Sequence, residues 1–234
     1  MHGGLRRLTP SHSIFAIIAR SKRWGGFMEP RFCKDALRED FSGLGLRPAS
    51  ILLLEASVGL QGELTALLEA LFDSLGPEAT LLHPAFSEKG LLPPLSQAFC
   101  RRAGVQFSAH PTFPFAALGG RASLLVRDHP LRDPFGFESP VGRAYRFRGQ
   151  VLWLGNEPEP GVAIALAASM TIHPPIDCSK VLPEIIHCLR RPGLLSEGLV
   201  GGIPAKLFDL ASLVNEASRI FCQDPALASG GRHH

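Results

Sequence analysis

The chain has 234 residues, 45% of them hydrophobic, with a mean hydropathy of +0.13. That length suits one ordinary domain with a sizeable core, and no apolar run reaches the roughly 18 residues of a membrane span. The formal charge of +3 comes from residues 1–28, where Arg6, Arg7, Arg20, Lys22 and Arg23 stand without an acid; the remainder holds 19 basic against 21 acidic side chains, which excludes a nucleic-acid footprint on the domain.

Residues 1–28 do not read as part of the fold. Ile14–Ala19 is a short apolar run closed by Arg20, Lys22 and Arg23, too short for a secretory signal and without its small-residue cleavage site. Translation from Met28, or a flexible basic arm, is the expectation; an extra helix packed on the domain is the alternative. A single domain over 29–227 follows, and 228–234 form a tail whose histidines carry no metal argument. Cys33, Cys100, Cys178, Cys188 and Cys222 are odd in number and scattered, with no Cys-x-x-Cys pair. Neither a disulfide framework nor a metal site is indicated, and a reduced, cytoplasmic setting fits.

Glu29–Phe41 reads as a short amphipathic helix, with Gly43-Leu-Gly45 and Pro48 making the turn after it. Ile51–Leu54 is a continuous apolar strand of the kind buried on both faces of a sheet. Leu64, Leu67, Leu68, Leu71, Phe72 and Leu75 fall on one stripe of a helix, which Gly76-Pro77 stops. Ala79–His83 is the next strand, so the order is βαβ and the fold class is α/β. Ser87–Pro94 is a loose loop and Leu95–Ala103 a helix. His110–Leu118 and Ala122–Val126 are short elements, and Val151–Leu154 is another buried strand. Gly161–Met170 reads as a helix buried all round, and Val181–Leu189 and Ala205–Phe221 as two further helices.

Chemistry concentrates in Phe107-Ser-Ala-His-Pro-Thr-Phe-Pro-Phe-Ala-Ala-Leu-Gly119, which holds Ser108 and His110. A residue before proline is pushed out of the helical region, so His110 is displayed by a loop or strand end. The plain alternative is a polar turn whose histidine bonds a nearby carbonyl. Glu55–Gly62 lies between the buried strand and the clearest helix, where backbone N–H groups can serve phosphates or an oxyanion; a ligand-free turn is equally open. Cys178, with His173 nearby in sequence, reads as a partly buried bystander cysteine, a thiol nucleophile being the alternative. There is no Walker loop, no Gly-x-Gly-x-x-Gly after a strand and no Gly-x-Ser-x-Gly elbow.

Leu95–Pro111 followed by Phe115-Ala-Ala-Leu-Gly119 resembles the aminoglycoside 3-N-acetyltransferase family, whose segment runs Phe-Arg…Gly-Val…Arg-Ser-x-His-Pro-x-x-Ser-Phe-Ala-Ala-x-Gly. The Phe135-Gly-x-x-Ser-Pro-x-Gly-Arg143 block and Gln150–Gly155 resemble its next two segments, and the likeness runs from about Glu29 to about Leu227. The resemblance implies an α/β fold with a mixed central sheet flanked by helices, acetyl-CoA as the acyl donor and a small-molecule amine as acceptor. It places Ser57, Val58, Ser108 and His110 near the donor, with Ser57 kept from the family's His-Ser-Ser-Leu-Ser-Ser.

It also exposes departures. The family's Asn-Thr-Ser-Leu-His-x-x-Glu carries the histidine that takes the amine's proton and the glutamate that orients it; Ala165 and Ala168 stand at those positions. Phe107 replaces the arginine before serine, and Pro114 the second serine. The expectation is therefore a divergent CoA-dependent N-acyltransferase with a non-aminoglycoside acceptor, its catalytic candidates being His110 and His173. The alternative is an inactive homologue that binds acyl-CoA, an acyl carrier protein or a partner subunit, a second copy of itself included. A membrane or nucleic-acid partner is not expected.

Overall fold

The computed structural model describes residues 33–57, 62–86, 91–155, 161–171, 186–187, 190 and 194–223. Its centre is a seven-stranded mixed sheet of order β3-β4-β2-β1-β5-β7-β6. In chain order the elements are α1 (Lys34–Leu44), β1 (Ile51–Ala56), α2 (Leu64–Leu75), β2 (Thr80–Pro84), α3 (Pro94–Cys100), β3 (Gln106–Phe107), β4 (Phe115–Gly119), α4 (Ala122–Val126), α5 (Pro140–Arg146), β5 (Gln150–Leu154), α6 (Val162–Thr171), β6 (Leu195–Val200), β7 (Ile203–Asp209) and α7 (Leu210–Gln223).

β1 pairs in parallel with β2 and with β5, through Leu53↔Leu82 and Leu53↔Val151. The β2–β4, β3–β4, β5–β7 and β6–β7 pairs are antiparallel. β1 is apolar on both faces because helices cover both. Leu52 and Leu54 meet α1, α2 and α3 on one side; Ile51 and Leu53 meet α4, α5, α6 and α7 on the other. The strand alternation thus divides the interior into two cores with the sheet between them. No helix of the described residues is long and apolar enough to cross a membrane.

The βαβ reading and the α/β class hold, with ends shifted by a few residues. The expected helix over Ala205–Phe221 is corrected: Ile203–Asp209 is a strand paired along its length with β6 and β5, and only Leu210–Gln223 is helical. The helical face is Leu210, Leu213, Val214, Ala217, Ile220 and Phe221, whereas Leu207 is buried from the strand. Gly201 and Gly202, with φ of 56° and 83°, make the two-residue turn of this hairpin, a backbone that glycine adopts without penalty. α3 ends at Cys100 rather than Ala103. Residues 1–28, most of Val181–Leu189 and the tail lie outside the described residues.

Candidate functional site

From β1 the chain leaves to one side for β2, β4 and β3, then re-enters the sheet at β5 on the other side of β1. In open α/β sheets ligands bind beyond the carboxyl ends of the strands where this reversal occurs. Here that place is bordered by Glu55, Ala56 and Ser57 at the end of β1 and by Gly155 after β5. The Ser57 N–H donates to the Leu154 carbonyl at 2.9 Å. Gly155, with a φ of 127°, lies so close that a Cβ on it would overlap the Ser57 hydroxyl. Glu55 ties three elements together: its Oε2 accepts from Trp153 Nε1 at 2.9 Å, and its Oε1 accepts from the Val162 N–H at 3.1 Å. The second bond sets a carboxylate at the start of α6, where the helix dipole favours it.

The same edge carries three histidines that each precede a proline, which holds them in extended or turn backbone. His83, near the end of β2, is 3% exposed. Its Nδ1–H donates to the Leu54 carbonyl at 2.8 Å, so its Nε2 accepts from the Ser96 hydroxyl at 2.7 Å. Burial pushes its pKa down to about 4, against a smaller opposing effect of the Leu54 bond. His83 is therefore neutral across the physiological range.

Ser108 follows β3. Its hydroxyl accepts from the Phe115 N–H at 2.8 Å and donates to His129 Nδ1 at 2.8 Å, and His129 Nε2–H donates to the Pro134 carbonyl at 2.8 Å. Burial lowers the His129 pKa, the Pro134 bond opposes this, and the charges of His110 and Arg143 lower it further. The His110 ring lies 4.8 Å from that of His129. Its Nδ1 accepts from the Thr112 and Phe113 N–H groups at 3.2 and 2.9 Å, and its Nε2–H points at the Leu131 carbonyl at 3.4 Å. Phe86, Phe113, Phe115 and Phe135 pack edge-on or tilted around the pair with centroids 5.1–6.4 Å apart.

Chemically, then, the basic lone pair of His110 is on Nδ1 and is occupied by the Thr112 and Phe113 N–H groups, so the ring is a base only when that loop releases it; as it stands, the ring holds the loop of residues 111–113. Ser108 and His110 both meet His129, Ser108 by a hydrogen bond and His110 by ring contact. Ser57 lies on another strand end. Three strand spacings separate β3 from β1, about 14 Å along the edge, so one small group cannot touch both, while an elongated ligand lying along the edge can. Val58 and His173 lie outside the described residues, as does Cys178. α6 contributes no titratable side chain: Ala168 is 4% exposed and Ala165 half-buried. Phe107 is exposed and points away from the packed interior. Among the described residues no cluster of His, Cys, Asp and Glu is arranged to hold a metal ion, and no buried side-chain polar atom lacks a partner.

Sequence reasoning missed His129, the His83–Ser96 pair and the anchoring of Glu55. One signal was available: His-Pro recurs at His83, His110, His129 and His173, and a repeated dipeptide that forces the same backbone is a pointer to loops at one sheet edge.

The sequence model of the aminoglycoside 3-N-acetyltransferase family matches residues 90–161, the stretch from α3 to the start of α6. The chain is 29% identical over 239 aligned residues to aminoglycoside N(3)-acetyltransferase IV of Salmonella sp, covering 86% of this chain and 91% of that protein. It is 42% identical to aminoglycoside N(3)-acetyltransferase VII of Streptomyces paromomycinus over 81 residues, 31% of this chain and 27% of that one. The crystal structure of aminoglycoside acetyltransferase AAC(3)-IVa superposes with a TM-score of 0.73 at 28% identity, over 83% of this chain and 90% of that one. In sequence and in fold the chain is a relative of the aminoglycoside 3-N-acetyltransferases.

Proposed function

We propose that the chain is a coenzyme A-dependent N-acyltransferase whose acceptor is a small-molecule amine other than an aminoglycoside. The observation that carries this reading is the carboxyl edge of the sheet. The strand ends at Ser57 and Gly155 and the Ser108–His110–His129 group lie on one rim, far enough apart for an elongated acyl thioester to lie along it. Relatives named as acetyltransferases support acetyl-CoA as the donor. Ser57 and Val58 hold it near its thioester end, and Ser108 and His110 line its path.

The acceptor differs from that of AAC(3)-IVa, a mutant of which is solved in complex with apramycin. Aminoglycosides are polycations, and the wall nearest His110 is built from four phenylalanines rather than carboxylates. An amine with an apolar flank suits that wall. The amine's proton passes to His110 Nδ1 once the Thr112 and Phe113 N–H groups release it, or to His173. Loss of a general base costs about 10²–10⁴-fold in rate, so Ala165 and Ala168 predict slow turnover rather than none.

Ala165 and Ala168 favour a second reading, a binder of acyl-CoA or an acyl carrier protein that does no chemistry. Titration calorimetry with CoA and acetyl-CoA, followed by a thiol-release assay on a panel of primary amines, separates the two. Thiol release that depends on the amine and falls at least tenfold in His110→Ala or in His173→Ala supports the enzyme and assigns the base, while release that survives both substitutions sinks this choice of bases. Binding without thiol release sinks the enzyme and leaves the binder; no binding sinks both.

A further inference from the structure

Between α4 and α5, on the face of the sheet that carries α6 and α7, lies an open cleft of about 660 Å³. Its floor is Leu124 and Phe147, and Arg127, Arg143 and Arg146 stand around it with Asp128 and Glu138. We propose that this cleft binds the phosphate group of a small ligand, with the apolar part of that ligand against Phe147 and Leu124.

The charge distribution comes first. Residues 121–148 hold six arginines and three carboxylates, a surplus of +3, whereas the rest of 29–234 holds 13 basic and 18 acidic side chains. The positive charge of the domain is therefore gathered onto one segment, and that segment walls the cleft.

The arginines are also held in place. Arg143 is 7% exposed, and its guanidinium donates to the carbonyls of Leu125, Arg127 and Asp128. These neutral acceptors take three of its N–H groups without cancelling its charge, and burial lowers its pKa. Arg146 lies over the Phe137 ring at 4.8 Å and forks onto Glu138 at 3.2 Å from each terminal nitrogen. That pair is largely exposed, with Glu138 60% accessible, and such pairs contribute little in water. Arg121 lies over Phe147 at 5.8 Å. Guanidinium groups stacked on rings lose little freedom on meeting an anion, and their fork matches phosphate. A phosphate dianion outcompetes one exposed carboxylate for Arg146 and adds Arg127, an exposed cation at the mouth of the cleft.

This proposal is independent of the acyl-transfer reading, since none of Ser57, Ser108 and His110 lines the cleft. The phosphate has two chemical sources: a free phosphorylated compound, or the nucleotide phosphates of the acyl donor. The experiment is calorimetric titration of the full chain with inorganic pyrophosphate in about 50 mM salt, where screening is weak. Arg127→Ser and the double variant R127S/R146S are titrated alongside, both changing exposed side chains outside the acyl-transfer site. Saturable binding is expected, weakened about threefold or more in Arg127→Ser and about tenfold or more in the double variant, with a thermal midpoint within a few degrees of the parent. Absence of saturable heat with the parent chain, or equal affinity in all three proteins, overturns the proposal. A second arm compares CoA with its 3′-dephospho form. A preference for CoA that disappears in the double variant assigns the phosphate to the donor. A preference unchanged there, with pyrophosphate binding lost, assigns it to a separate phosphorylated ligand.

Discussion

His83 makes stability depend on pH in a calculable way. In the folded chain its imidazole is neutral, with Nδ1–H on the Leu54 carbonyl and Nε2 taking the Ser96 hydroxyl proton. A second proton on Nε2 would face that hydroxyl and charge a ring that water does not reach. The folded pKa is accordingly about 4, against 6.5 in the unfolded chain. The unfolded state therefore binds the proton first as pH falls, so stability is intact above about pH 6.5, declines toward pH 4, and has lost the whole contribution below that. The drop from 6.5 to about 4 corresponds to roughly 3 kcal/mol at about 1.4 kcal/mol per pH unit. His129 acts in the same direction, and carboxylates titrate in the lower half of the window, so the informative quantity is a difference. Urea unfolding of the parent and of His83→Gln, at half-unit steps from pH 7.5 to 4, measures it. Glutamine offers both a donor and an acceptor and does not titrate. The gap in unfolding free energy between parent and variant should shift by about 3 kcal/mol across the window in the variant's favour. A gap that stays constant within about 0.5 kcal/mol refutes the assignment of a buried, neutral His83.

Gly142 sits inside α5, where alanine is normally better by about 1 kcal/mol, yet a Cβ there would overlap the carbonyl oxygen of Phe137 and come within 2.5 Å of that of Gly136. Gly142→Ala should lower the unfolding free energy by about 2–4 kcal/mol, and a neutral or stabilising result in urea denaturation would contradict the packing described. Ser108→Ala strands the Phe115 N–H and His129 Nδ1 in a buried place and should cost about 2–4 kcal/mol, while Ser108→Thr should recover part of it. Ser139 caps α5 through the Gly142 N–H at 3.2 Å; Ser139→Ala should cost about 1 kcal/mol by thermal or chemical denaturation.

Much of the fold was legible because its signals are local. The stripe Leu64–Leu75 and the all-apolar run Ile51–Leu54 each state their burial outright. β7 was misread because Ala205, Leu207 and Phe208 fit a helical stripe as readily as a strand buried on both faces. Only the pairing with β5, over fifty residues away in sequence, decides between them. The turn at Gly201-Gly202 was the local clue. In the site, the chain locates Ser108 and His110 by motif, but the tautomers of His83 and His129 depend on which carbonyls arrive from Leu54 and Pro134. That is tertiary information no window of residues contains.

The enclosure of α6 by two neighbouring helices and the sheet has a consequence for anyone wishing to restore a base there. Ala168→Glu alone would force a carboxylate into a place that is 4% exposed, a change that costs several kcal/mol unless a partner meets it. Ala165→His alone would give an imidazole with nothing to orient it. The glutamate therefore needs the imidazole to meet it, whereas the histidine enters a half-buried place without that demand, so the order of the two changes decides whether an imidazole–carboxylate couple can be reached. A library built one position at a time would discard the glutamate before its partner could arrive.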